Sequence, residues 1–148
     1  MIILKKRGQK IALIGPLAAD KNSPLGNWSI AADKDSAISV LEALSLDIMR
    51  RHKGNDLIYK QGVRLINKVP DGFHEEVSIN ENDRTGIEEA VIAAKEAEIV
   101  IMVLGEYGYQ SGEGRSRANL DFPGLQQELL ERIREVNKNI ILVVMSGR

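Results

Sequence analysis

The run EIVIMVL at positions 98–104 is apolar at every position after its first, and IILVVM at 140–145 repeats the pattern. A strand with one wet face alternates apolar and polar side chains, whereas a strand buried on both faces has no reason to alternate. Two such runs call for a sheet covered above and below, the arrangement typical of parallel strands joined by helical crossovers. The intervening segments fit that scheme. KIALIGP (10–16) reads as a first strand and DLIYKQG (56–62) as a second. From Ser36 to His52, Ala37, Val40, Leu41, Leu44 and Ile48 recur at helical spacing, and Lys53-Gly54 supplies a stop. Ile87, Ala90, Val91 and Ala94 mark the inner face of a second helix, with Thr85 and Glu88 spaced as a capping box. Leu125, Leu129, Ile133 and Val136 mark a third, opened by Pro123.

Strand and helix alternate, so the expected fold class is α/β: an open, doubly wound, mainly parallel sheet of about four strands and three helices. Right-handed crossovers favour the strand order 2-1-3-4. In that order the chain reverses its winding between the first and third strands, and a crevice opens at their carboxyl ends. The loops meeting there are GPLAADKNSPLGNWSIAADKD (15–35) and GEYGYQSGEGRSRANLDF (105–122). Both far exceed the two to six residues usual for such connections, which suggests that they have a task.

Composition narrows what that task is. The 148 residues suffice for one domain, and 20 basic against 21 acidic residues leave a net charge of −1. Nothing in that balance points to nucleic acid or to a membrane surface. There is no cysteine, so neither a disulfide framework nor a thiolate metal site is possible. The longest apolar runs are too short to cross a bilayer, and MIILKKRGQK lacks the apolar core of a signal peptide. The compartment is unreadable. The glycines lack the spacing of a dinucleotide or P-loop cradle, and Pro16 removes an amide that a phosphate turn would use. His52 and His74 stand far apart without partners at ligand spacing and read as surface histidines, His52 in the last turn of its helix. No metal and no cofactor is expected.

The carboxylates are more informative. Glu106 directly follows the third strand, and Glu113 lies between glycines in SGEG, where the backbone can approach a ligand closely. Arg115 and Arg117 offer forked donors to hydroxyls or carboxylates, and Trp28, the sole tryptophan, sits on the other long loop with a face suited to stacking on a sugar ring. On the residues alone, an enzyme site, a non-catalytic sugar or small-ligand module and a protein-interaction domain all remain open.

These pieces, in order, resemble the second, α/β-sandwich domain of glycoside hydrolase family 3, the β-glucosidase and β-xylosidase family. The resemblance rests on KIALIGPLA (10–18), LGNWS (25–29), VLEAL (40–44), Gly105-Glu106, SGEGRSR (111–117), Leu120, Pro123, Gln126, Leu129 and finally VMSGR (144–148). It implies a retaining hydrolysis shared between two domains. A barrel domain supplies the nucleophile and most of the sugar pocket, and this domain supplies the general acid/base. By the same resemblance Glu113 is that acid/base and Trp28 a contact on the leaving-group side. From its place next to the strand Glu106 is the runner-up or a loop anchor held by an arginine, and the forked donors of Arg115 and Arg117 are expected to be substrate contacts. The expected substrate is an oligosaccharide or β-glycoside. The resemblance further implies that residues 1–148 are a partial domain without its barrel, inactive alone, whose last strand forms an apolar edge able to self-associate.

Overall fold

The computed structural model describes residues 8–71 and 75–147. Its strands are β1 (Lys10–Ile14), β2 (Asp56–Lys60), β3 (Ile99–Gly105) and β4 (Ile140–Met145), and its helices are α1 (Val40–Arg51), α2 (Ile87–Glu96) and α3 (Gln126–Val136). The strands form one sheet in the expected order β2-β1-β3-β4, and every neighbouring pair is parallel.

Alternation along the central strands feeds two cores. Ala12, Ile14, Val100, Met102 and Leu104 pack under α2 and α3, against Ala90, Ala94, Leu129 and Ile133. Ile11, Leu13, Ile99, Ile101 and Val103 face the other way, toward Val40, Leu41, Leu44 and Ile48 of α1. All seven residues of β3 are buried. The sequence pattern reads β4 in the same way, and here the structure differs. β4 lies at the edge of the described sheet, where Ile141, Val143 and Met145 pack on the α1 side. Leu142 and Val144, in register with Met102 and Leu104, remain 41% and 55% exposed because neither α2 nor α3 extends over them. Continuous apolarity is a sign of burial on both faces only where helices reach both faces.

The helix starts also shift. α1 begins at Val40, four residues after the expected start, because Ser39 and Glu42 close a capping box: Ser39 Oγ accepts from the Glu42 N–H at 3.1 Å, and Glu42 Oε2 accepts from the Ser39 N–H at 3.3 Å. The Ser39 amide, followed by Lys21, holds the Glu42 carboxyl below its ordinary range. The box expected from Thr85 and Glu88 does not form. Asp83 Oδ1 accepts from both the N–H and the hydroxyl of Thr85 at 3.1 and 2.7 Å, so α2 starts only at Ile87. Glu88 instead pairs with Arg132 of α3. Pro123 precedes α3 by a turn, and the helix proper opens at Gln126.

The carboxyl end of β3 is fastened by a single fully buried side chain. Gln126 Oε1 accepts from the Gly105 N–H at 2.9 Å, while its Nε2 donates to the carbonyls of Gly105 at 2.8 Å and Pro123 at 2.9 Å. Gly105 itself has φ +145°, and a Cβ there would lie 1.9 Å from the Met145 carbonyl oxygen, so the strand end tolerates only glycine. A Gln126→Leu variant keeps the volume and strands three buried backbone groups. We expect it to lower unfolding free energy by about 2–4 kcal/mol in urea titrations.

Candidate active site

The two long loops meet above the ends of β1 and β3. Ser23 opens a short 3₁₀ turn (Ser23–Leu25) in the first loop, and Gly108–Gln110 forms another in the second. The Gly108 N–H donates to Ser23 Oγ at 3.0 Å, and that hydroxyl donates on to Asp20 Oδ2. Asp20 Oδ1 also accepts from the N–H groups of Asn22 and Ser23 at 2.7 and 3.0 Å, which fixes the turn locally. Beside this bridge Tyr107 lies edge-on to Tyr109, with ring centroids 5.8 Å apart. Burial, then the Asp20 carboxylate, pushes the Tyr107 phenol above its usual range. A cleft of about 460 Å³ runs between the loops, lined by Asn22, Ser29, Lys34, Val69, Tyr107 and Tyr109 among others.

Glu106 and Glu113 have opposite environments. Glu106 is 8% exposed. Its Oε1 accepts from Arg117 Nη1 and its Oε2 from the Ser146 hydroxyl, both at 3.1 Å, and its N–H donates to the Met145 carbonyl at 2.8 Å. It joins the ends of β3 and β4 to the base of the second loop. Glu113 stands exposed on a tight turn in which the Arg115 N–H donates to the Gly112 carbonyl at 3.2 Å.

The residues that flank Glu113 tie this turn down. Gly112 rests on Asn27 of the first loop: a Cβ on it would lie 2.2 Å from Asn27 Nδ2. Arg115 Nη2 donates to the Glu75 carbonyl at 2.9 Å. Arg117 holds Glu106 and also donates to the Asp121 carbonyl. Both guanidiniums, read from the sequence as substrate contacts, thus make bonds inside the domain, although both also line a cleft of about 410 Å³ beside the turn. Trp28 is 65% exposed on the first loop, next in sequence to the residue that supports Gly112. Ile30 and Leu120, 84% and 79% exposed on the same two loops, add apolar surface at this end of the sheet.

Sequence reasoning passed over Asp20, Ser23, Asn27 and Tyr107. Asp20-x-x-Ser23-Pro24 carries the signal of an Asx-stabilised turn, but nothing local to Asn27 tells that it lies under Gly112, 85 residues away. His52 is the C-terminal cap of α1, with Nε2 3.4 Å from Asp47 Oδ2, and so is engaged in the helix end rather than freely exposed. His74 lies outside the described residues. Among the described residues no group of three or more His, Asp or Glu side chains could hold a metal ion, and no helix is long and apolar enough to cross a membrane.

Residues 3–148 match the glycosyl hydrolase family 3 C-terminal domain. The chain belongs to that family. It is 32% identical over 151 residues to a periplasmic β-glucosidase of Salmonella typhimurium, an alignment spanning 98% of this chain and 19% of that protein. It is 31% identical over 144 residues to a β-xylosidase of Formosa agariphila, spanning 95% of this chain and 18% of that one. The crystal structure of a family 3 β-glucosidase from Bifidobacterium adolescentis superposes with a TM-score of 0.66 at 31% identity, covering 93% of this chain and 17% of that chain. The chain therefore spans about a fifth of the length of these relatives.

Two predictions follow from the ties around the turn. Arg115 leans on the Glu75 carbonyl, and nearby in sequence Arg64 Nη2 lies 2.6 Å from Asp83 Oδ2. Hydrogen bonds from the Thr85 hydroxyl and amide, then from Arg64, lower the Asp83 carboxyl from 3.8 to about 2. A depressed carboxylate stabilises the fold above its unfolded pKa and loses that contribution as pH falls through the folded value. Urea midpoints should therefore fall between about pH 4 and pH 2, and the fall should be shallower in Asp83→Asn. The buried Glu106–Arg117 pair should show, in a double-mutant cycle of Glu106→Gln and Arg117→Met, a coupling of about 1–3 kcal/mol.

Proposed function

We propose that this family 3 domain serves a retaining β-glycosidase acting on terminal β-linked sugars, and that Glu113 is its general acid/base. The observation that carries the reading is the contrast between the two carboxylates. Glu106 is buried and bonded on both oxygens, whereas Glu113 projects into solvent from a turn that the neighbouring Arg115 side chain ties to the Glu75 carbonyl. A general acid must reach the glycosidic oxygen with a free carboxyl oxygen. Glu113 meets that requirement and Glu106 does not, so Glu106 is the loop's anchor.

Retaining hydrolysis needs a second carboxylate about 5–5.5 Å from the acid, to attack the anomeric carbon. The acid protonates the departing oxygen as the bond breaks, and its carboxylate then takes a proton from the water that frees the sugar. For the first of these steps the carboxyl must stay protonated near neutral pH, which requires burial or a nearby negative charge. On the open turn Glu113 has water around it. A barrel domain carrying the nucleophile and closing over this face would supply the burial, the negative charge and the sugar pocket together. Trp28, Ile30 and Leu120 give that domain and the leaving group an apolar surface to meet. By itself residues 1–148 should neither turn over aryl β-glucosides nor bind glucose well, and β4, an edge strand among the described residues, should favour self-association at high concentration.

The test is Glu113→Ala in the full-length protein that carries this chain. Glycosides with poor leaving groups should lose about 10²–10⁴-fold in kcat/KM, while dinitrophenyl glycosides, whose leaving group needs no proton, should keep theirs. Azide should restore turnover of the latter by taking the place of base-assisted water. Uniform loss across leaving groups, or none, would remove Glu113 from the role.

A further inference from the structure

We infer that Asn27 is a positioning residue for the acid/base turn, joining the Trp28 loop to Glu113 so that leaving-group recognition and proton transfer share one support. The inference rests on Glu113 being the acid and extends that reading to a residue of the other loop.

Asn27 lies where the loops touch. Its side chain fills the space beneath Gly112, at distances of 2.2 Å from Nδ2 and 2.9 Å from both Cβ and Cγ to the position a Cβ would occupy. Gly112 has φ +114°, a conformation that L side chains rarely adopt, so backbone and packing both reserve the position for glycine. Glu113 is the next residue. Asn27 therefore bears on the turn one residue from the carboxyl that must be placed.

The chemistry of the contact is unusual. Both polar atoms of the carboxamide, Oδ1 and Nδ2, are buried, and neither has a hydrogen-bond partner among the described residues. A buried amide without partners is destabilising relative to an apolar side chain of the same shape. A chain selected for stability alone would place leucine there. Residues that lower stability in this way cluster where activity needs them. The turn at Gly112 is the neighbour it packs against, and Asn27 also lines two clefts, of about 460 and 270 Å³. We assign the carboxamide the task of hydrogen-bonding the Gly112–Glu113 backbone when the turn moves onto the glycosidic oxygen. The amide is satisfied in the working position of the turn and unsatisfied in the open one, so it favours the former.

This assignment separates stability from activity. In the full-length protein, Asn27→Leu keeps the bulk and removes the polar atoms, while Asn27→Ala removes both. Asn27→Leu should leave the melting temperature unchanged or raised, while Asn27→Ala, which also empties the space beneath Gly112, should lower it slightly. Each should lower kcat/KM for alkyl β-glucosides by about 10–100-fold, the scale of a misplaced catalytic group, and leave dinitrophenyl β-glucoside nearly untouched. Asn27→Leu with full activity on the alkyl substrates would show that the amide does nothing and overturn the inference. A lowered melting temperature with equal loss on both substrates would reduce Asn27 to packing and overturn it too. Glu113→Ala, measured alongside, distinguishes the two levels of the argument. If that variant shows the leaving-group signature and the Asn27 variants do not, only this inference fails. If Glu113→Ala lacks it, the reading of Glu113 falls and the role of Asn27 with it.

Discussion

Burial of β3 on both faces is the constraint from which the rest of the domain follows. Seven consecutive residues without access to water need helices above and below and a strand on either side to satisfy their backbone. With β2 outside β1 and β4 outside β3, the chain has to leave β1 and β3 in opposite directions, and the two departing loops converge at one end of the sheet. The candidate site is where it is because the most apolar strand is central.

Convergence alone would leave two long loops free to wander. Here they are held by contacts graded in strength. The innermost is Gln126, whose carboxamide meets both backbone groups of Gly105 inside the core. Next comes the Glu106–Arg117 ion pair, almost wholly buried on the carboxylate side, with Ser146 completing the shell. Outermost are the Ser23–Gly108 and Arg115–Glu75 hydrogen bonds and the packing of Asn27 on Gly112. Burial therefore falls off from strand end to loop tip, and the exposed carboxyl of Glu113 sits at the last step. That gradient suits a group which must be placed by the domain yet remain available to something outside it.

The two carboxylates show how position along this gradient decides chemistry. Glu106 and Glu113 are seven residues apart and carry the same side chain. One is shielded, ion-paired and bonded, so its charge is used up in holding the loop. The other is solvated and its charge is uncommitted. Trp28 and Asn27 show the same division on the opposite loop, an exposed ring beside a buried amide. Adjacent residues divide between exposure to solvent and support of the backbone.

Apolar periodicity alone determined the fold class, the strand order and the identity of the two loops that meet, because burial acts on every residue of an element and leaves a regular trace. The glycines around Glu113 are likewise a local feature that marked it, beside Glu106, as a carboxylate to weigh, and the resemblance to the family was what chose between the two. Tertiary structure alone decided the rest. Whether Ser39 or Ser36 starts α1, or Thr85 caps α2, depended on which side chain captured the hydrogen bond first. That Arg115 and Arg117 turn inward depended on a carbonyl and a carboxylate lying within reach. The exposure of β4 depended on how far two helices extend. The contact of Asn27 with Gly112 has no trace in sequence, because a single packing contact between distant loops imposes no period and leaves each residue ordinary in its own neighbourhood.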